Sequence, residues 1–96
     1  MKILAISKLL PGVELERLQP FFKSEAEHAW RNYECGIFRE LYMIGDRRGA
    51  VIILECSDTE EAKAIMGELP LVKEKLIDFD YIPLTPFIPF TSLFGK

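Results

Sequence analysis

The chain has 96 residues, 49% of them apolar and 28% charged, with a net charge of −3. That length makes one domain, near the lower end of what can enclose a good core. The acidic balance excludes a nucleic-acid surface, which needs a basic stripe; the only basic pair, Arg47-Arg48, falls in a predicted turn.

Cys35 and Cys56 show no metal or redox spacing and are too few for a disulfide framework, so reduced thiols in a cytoplasmic protein are the expectation. The opening MKILAISKLL is interrupted by Lys8 and lacks a small-residue cleavage site, so it reads as a strand and not as a signal peptide. No apolar run approaches the roughly 20 residues that a membrane span needs. One histidine and two distant cysteines supply no zinc ligand set, and PG and GDRRG are turns, not phosphate loops. Neither a metal nor a cofactor is expected.

Lys2 to Leu10 is a short apolar run closed by Pro-Gly, a strand and a turn. From Val13 the period changes: Leu15, Leu18, Phe22, Ala26, Ala29 and Tyr33 recur at steps of three and four, as on an amphipathic helix. Pro20 interrupts the pattern, so either a short helical turn precedes the main helix or one helix is kinked there. Gly36 supplies the stop. Ile37 to Ile44 reads as a strand, GDRRG as a hairpin loop, and Ala50 to Cys56 as the antiparallel partner. SDTEEAKAIMGEL is a second helix, capped by Ser57 or Asp58, with acidic residues in the first turn where the helix dipole favours them. Pro70 ends it, LPLVKEKL turns, and Ile77 to Pro83 is the last strand. The order βαββαβ is the ferredoxin-like α+β arrangement, a four-stranded antiparallel sheet with two helices on one face.

A sheet with one wet face alternates in polarity along its strands, and the hairpin strands do not. Ala50, Ile52 and Leu54 point one way and Val51 and Ile53 the other; Ile37, Leu41 and Met43 are expected on one face, Phe38, Tyr42 and Ile44 on the opposite one. Helices cover one face only, so the second predicts a homodimer formed by sheet-to-sheet packing about a two-fold axis. Residues 1–86 form the domain and residues 87–96 a tail rich in Phe and Pro. Its prolines Pro83, Pro86 and Pro89 favour an extended chain, and its phenylalanines are expected at a neighbouring subunit or a pocket mouth.

The stretch ELPLVKEKLIDFDYIPLTP, after the hairpin GDRRGAVIILECSDTEEAKAIM, resembles the C-terminal half of the muconolactone isomerase family. The shared features are a strand ending in Glu55, a capped helix running into Leu69-Pro70-Leu71, and a last strand reaching Pro83-Leu84. The resemblance extends loosely over residues 2 to 86. It implies a subunit of the dimeric α/β-barrel superfamily, with assembly possible beyond the dimer. It also places the family's acidic pair of the first helix on Glu25 and Glu27. The family's Gly-His pair in the hairpin is Gly45-Asp46 here, so no role for that histidine carries over.

The residues suit cofactor-free proton transfer on a small lactone or carboxylate-bearing substrate in a pocket between helix and sheet. Glu25 falls inside the apolar arc of the first helix, nearer its edge than its centre, and apolar surroundings raise a carboxyl pKa toward the range of a general base. His28, three residues on and just outside the arc, is within reach of it, and Tyr42 can donate to an oxyanion. Arg39 can bind a substrate carboxylate with two parallel hydrogen bonds, as can Arg47 or Arg48. Trp30 and Tyr33 fall on the arc, where core packing is the expectation and a binding role at a pocket mouth is the alternative for Trp30. Glu55, beside Val51 and Ile53, either enters a cavity or is solvated at the rim. A non-catalytic small-molecule-binding module and a cofactor-free monooxygenase are the competing readings.

Overall fold

The computed structural model describes residues 1–95; Lys96, the last residue of the sequence-defined tail, lies outside the described residues. Strand β1 (Lys2–Leu9) is followed by a 3-10 segment (Leu15–Phe21) that runs directly into helix α1 (Phe22–Glu34). Strands β2 (Phe38–Met43) and β3 (Ala50–Glu55) form the hairpin. Helix α2 (Thr59–Met66), the single-turn helix α3 (Pro70–Lys73), strand β4 (Ile77–Leu84) and a second 3-10 segment (Ile88–Leu93) complete the chain. The short-turn alternative at Pro20 is the one realised: the proline sits in the 3-10 segment, ahead of α1. Between α2 and β4, where the sequence reads only as a turn, Pro70 opens α3 at a position where its missing N–H costs nothing.

The four strands form one antiparallel sheet in the order β2-β3-β1-β4, the ferredoxin-like topology. Its helix-covered face carries Ile3 and Ala5 of β1, Ile52 and Leu54 of β3, and Ile77 and Phe79 of β4, all buried. Leu18, Ala62, Met66, Leu69 and Leu71 close the core from above.

Strand β2 differs from the alternation expected of it. Phe38 pairs with Leu54, but Glu40 pairs with Ile53 and Leu41 with Ile52, so the register shifts by one residue at Arg39. A bulge of this kind adds a residue to one strand and returns the next side chains to the opposite faces. Phe38, expected on one face with Tyr42 and opposite Leu41, therefore lies fully buried in the core on the same side as Leu41.

The other sheet face is open. Leu4, Ile6, Val51 and Ile53 make a half-buried apolar centre, and Ile82 and Leu84 beside them are exposed. Charged residues frame it: Lys8 Nζ contacts Asp80 Oδ1 at 2.7 Å, and the Met1 ammonium and Lys2 meet Glu55 at 2.8 and 3.8 Å.

Of the two capping candidates for α2, the structure uses Asp58. Its Oδ1 accepts the Glu61 N–H at 2.8 Å, while Glu61 Oε1 reaches back to the Ser57 amide at 2.7 Å and the Ser57 hydroxyl at 2.9 Å. This reciprocal arrangement satisfies donors that the first turn leaves without partners. Asp58→Ala is expected to lower unfolding stability by about 1 kcal/mol, read as a reduced urea midpoint at unchanged slope.

Candidate functional site

Helix α1 is rotated with respect to its apolar pattern. Its half-buried residues are Glu25, His28, Ala29 and Asn32, which share one face at 100° per residue. The stripe of Phe22, Ala26, Trp30 and Tyr33 is centred about a quarter turn away and is exposed, Trp30 at 58% and Tyr33 at 49%. No residue of α1 is fully buried. The expected core packing of Trp30 and Tyr33 is thus replaced by a surface pair, with ring centroids 5.7 Å apart.

At the centre of the inward face is Glu25. Its Oε1 accepts the backbone N–H of Leu71, in the first turn of α3, at 2.9 Å. That bond ties α1 to α3 and turns the carboxylate to the centre of the inward face, where the sequence placed it near the edge. Burial pushes the Glu25 carboxyl above its ordinary value of 4.5, and the Leu71 amide opposes part of that rise by favouring the anion. His28 is half-buried on the same face, and its carbonyl accepts a 3.2 Å hydrogen bond from the Asn32 side chain.

Between the outward stripe of α1 and strand β2 runs a groove of about 530 Å³, lined by Ala26, Ala29, Trp30, Tyr33, Arg39, Glu40, Leu41 and Tyr42. Strand β2 is an edge of the sheet, so the groove follows a row of backbone groups that no neighbouring strand pairs. Three polar residues are part of its lining. Arg39, the bulged residue, donates from Nε to the Gly36 carbonyl at 2.6 Å, which orients the guanidinium and leaves its terminal nitrogens for another partner. The Tyr42 hydroxyl donates to Glu40 Oε1 at 2.7 Å, and this carboxylate raises the phenol pKa by stabilising the protonated form.

The structure therefore brings together Trp30, Arg39 and Tyr42 of the residues singled out in the sequence. Glu25 and His28 are on the same helix but on its inward face. Glu55 is elsewhere, on the open sheet face, where the Met1 ammonium bound to it holds its carboxyl below the usual range. Arg47 and Arg48 are exposed in the hairpin loop. Glu40 was missed; the signal available was its i, i+2 relation to Tyr42, which puts both on one strand face. A second cavity, of about 510 Å³, lies at the opposite edge between α2 and β4, with Lys63, Asp78 and Tyr81 in its wall. Burial, with the charge of Asp78, pushes the Tyr81 phenol up to about 12, and none of the sequence-selected residues lines this cavity. Among the described residues no cluster of His, Cys, Asp and Glu is arranged to hold a metal ion, and no helix is long and apolar enough to cross a membrane.

No protein-family model and no curated protein matches the chain. Solved structures do. One is 5-chloro-2-hydroxyhydroquinone dehydrochlorinase from Burkholderia phenoliruptrix, in complex with 2,5-dihydroxybenzoquinone. It is 15% identical with a TM-score of 0.71, over 88% of this chain and 94% of that one. Another is muconolactone isomerase, 20% identical with a TM-score of 0.71, over 91% of this chain and 93% of that one. The chain has the fold of these two proteins.

Glu25 gives a pH test with a defined sign. A carboxyl whose folded pKa is raised binds more protons folded than unfolded, so its contribution to stability falls as pH rises from about 4.5 through the folded value. Glu25→Gln keeps an acceptor for Leu71 and removes the charge. Relative to the parent, this variant is expected to gain stability between pH 4 and pH 7, measured by urea unfolding at both; a difference that does not change with pH contradicts the assignment.

Proposed function

We propose that the chain is a small-molecule enzyme that moves a proton without a cofactor, on a lactone or another carboxylate-bearing substrate held in the groove between α1 and β2. The observation that carries this reading is the convergence of Arg39, Glu40 and Tyr42 on a groove with an aromatic wall. The fold shared with an isomerase and a dehydrochlorinase agrees with it at the level of architecture.

The chemistry follows from the groups. Arg39 pairs with the substrate carboxylate, and Trp30 and Tyr33 cover its apolar part. Glu40 takes the proton from the carbon beside the carbonyl, and the electron pair of that C–H bond moves onto the carbonyl oxygen. Tyr42, released from Glu40 as substrate enters, donates its hydroxyl to the developing oxyanion. The electron pair then moves back from the oxygen through a C=C bond conjugated with the enolate, and Glu40 returns the proton at the far carbon of that bond, so the net change is a shift of the double bond, an isomerisation. Geometry comes before pKa in choosing a base, which favours Glu40, since it lines the groove. The raised pKa of Glu25 supports a second assignment, in which Glu25 is the base and His28 its proton partner. That route requires the Leu71 amide to let go.

The active unit is proposed to be a homodimer in the cytoplasm, packed through the open sheet face, since Leu4, Ile6, Val51 and Ile53 are otherwise left to solvent. Light scattering is expected to give twice the chain mass, and Ile53→Lys to give a folded monomer.

With an enol-lactone substrate, Glu40→Gln is expected to lower kcat by about 10²-fold or more, Tyr42→Phe to lower it less, and Glu25→Gln to leave it within a few-fold. Loss on Glu25→Gln with Glu40→Gln active transfers the base to Glu25. Turnover that consumes oxygen identifies a monooxygenase, and tight binding without turnover a binding module.

A further inference from the structure

The segment after β4 has no packing place within its own protomer. From Tyr81 to Gly95 it contains no charged residue, and Phe87, Ile88, Phe90, Leu93 and Phe94 are each 61–84% exposed. At roughly 200 Å² for a phenylalanine, these side chains leave on the order of 600 Å² of apolar surface in water, at the upper end of what a monomer ordinarily shows. Yet the segment is locally ordered. Ile88–Leu93 forms a 3-10 segment, Phe87 and Phe90 stack edge to face at 4.9 Å, and the Thr91 and Ser92 hydroxyls donate to the Ile88 and Pro89 carbonyls at 2.8 Å each. Its polar side chains are satisfied locally and its rings point out, so little further ordering is lost when it docks.

Its direction is set by chemistry too. Thr85 precedes Pro86, which biases it to an extended conformation, and the chain leaves β4 without turning back. The protein accordingly spans 56 × 28 × 22 Å with a radius of gyration of 15.5 Å, against about 12.5 Å for a compact chain of this length.

The groove described above is the complementary surface. Its wall is the part of the uncovered stripe of α1 made by Ala26, Trp30 and Tyr33, with the half-buried Ala29 beside them and Leu41 as its floor. Strand order puts β4 and β2 at opposite edges of the sheet, so a tail continuing along β4 moves away from the groove of its own protomer.

We infer that the Phe87–Phe94 segment docks in the α1–β2 groove of a second copy of this chain, with its rings against Trp30 and Tyr33, and so forms one wall of that copy's pocket. Both halves of the contact lie on every chain, so two copies satisfy each other reciprocally. Exchange of two tails, with the groove surface they cover, brings the buried area to roughly the 1,200–2,000 Å² of a stable interface. The neutral segment brings no charge to strand unpaired beside Arg39 and Glu40. The inference concerns assembly of the groove and does not depend on which reaction occurs in it.

The test uses the full chain with Cys35→Ser and Cys56→Ser, adding Tyr33→Cys and Phe90→Cys and oxidising gently. A covalent dimer on a non-reducing gel is expected, and none from a control carrying Glu60→Cys, on exposed α2, with Phe90→Cys. An internally cross-linked monomer, no cross-link, or equal cross-linking in the control overturns the inference. A second measurement uses the only tryptophan: in the otherwise native chain, replacing Phe87, Phe90 and Phe94 together by Ser is expected to red-shift Trp30 emission and increase its quenching by acrylamide, with the far-UV spectrum retained. Unchanged emission and quenching in a folded variant also overturn it. Neither readout involves turnover, so failure of the proposed chemistry leaves the outcome interpretable.

Discussion

The hydrogen bond from the Leu71 amide to the Glu25 carboxylate, 2.9 Å long, ties helix α1 to α3 with the carboxylate on the inward face of the helix. A helix with an apolar stripe ordinarily turns that stripe to the core. Here the bond holds a carboxylate at the centre of the inward face, and the stripe is left about a quarter turn outside. Removing a carboxylate from water is unfavourable unless its charge is met by donors, and the Leu71 N–H supplies one; the remaining penalty is the raised pKa. Beside this contact Trp30 and Tyr33 are exposed, His28 is half-buried on the inward face, and a groove lies where a filled helix–sheet seam is usual.

The second departure from regularity works on the other wall. The extra residue at Arg39 returns Phe38 to the core, where it is fully buried, and puts Arg39 in the lining of the groove. The same shift puts Glu40 and Tyr42 together on the far side of β2, joined by a 2.7 Å hydrogen bond. A polar residue on a core-facing helix face and a break in strand register are each a conflict between local pattern and global fold. Proteins tend to keep such conflicts at functional sites; here the register break lies in the lining of the groove and Glu25 on the inward face of the helix that walls it.

Small domains bury a limited share of their surface, and this one leaves three apolar regions uncovered: the open sheet face, the outward stripe of α1 and the tail. They lie on different elements, but each is continuous and none is interrupted by a charge at its centre. Shielding of all three by copies of the same chain is the economical arrangement, because it requires no other partner and places the groove between subunits. A site of that kind is assembled only on association, so occupancy of the pocket and oligomeric state become linked.

The sequence by itself determined the elements and their order. The change from alternating to three-four periodicity, Gly36 after the first helix, Asp58 before the second and Pro70 after it are local signals, and local backbone preferences answer them. The apolar second face of β3 was also legible, because a period of two assigns each residue to a face without knowledge of its neighbours. Only the tertiary structure decided the rotation of α1, the bulge at Arg39 and therefore the groove. Periodicity shows that a stripe exists but not which element will cover it; that depended on an amide of α3, 46 residues from Glu25 in the chain. A strand pattern likewise carries no mark of one inserted residue, so Phe38 was grouped with Tyr42 and not with Leu41, and Glu40 passed unnoticed. Trp30, Arg39 and Tyr42 were legible as residue types suited to binding. Their meeting on one groove was not, since it depends on contacts between elements distant in sequence.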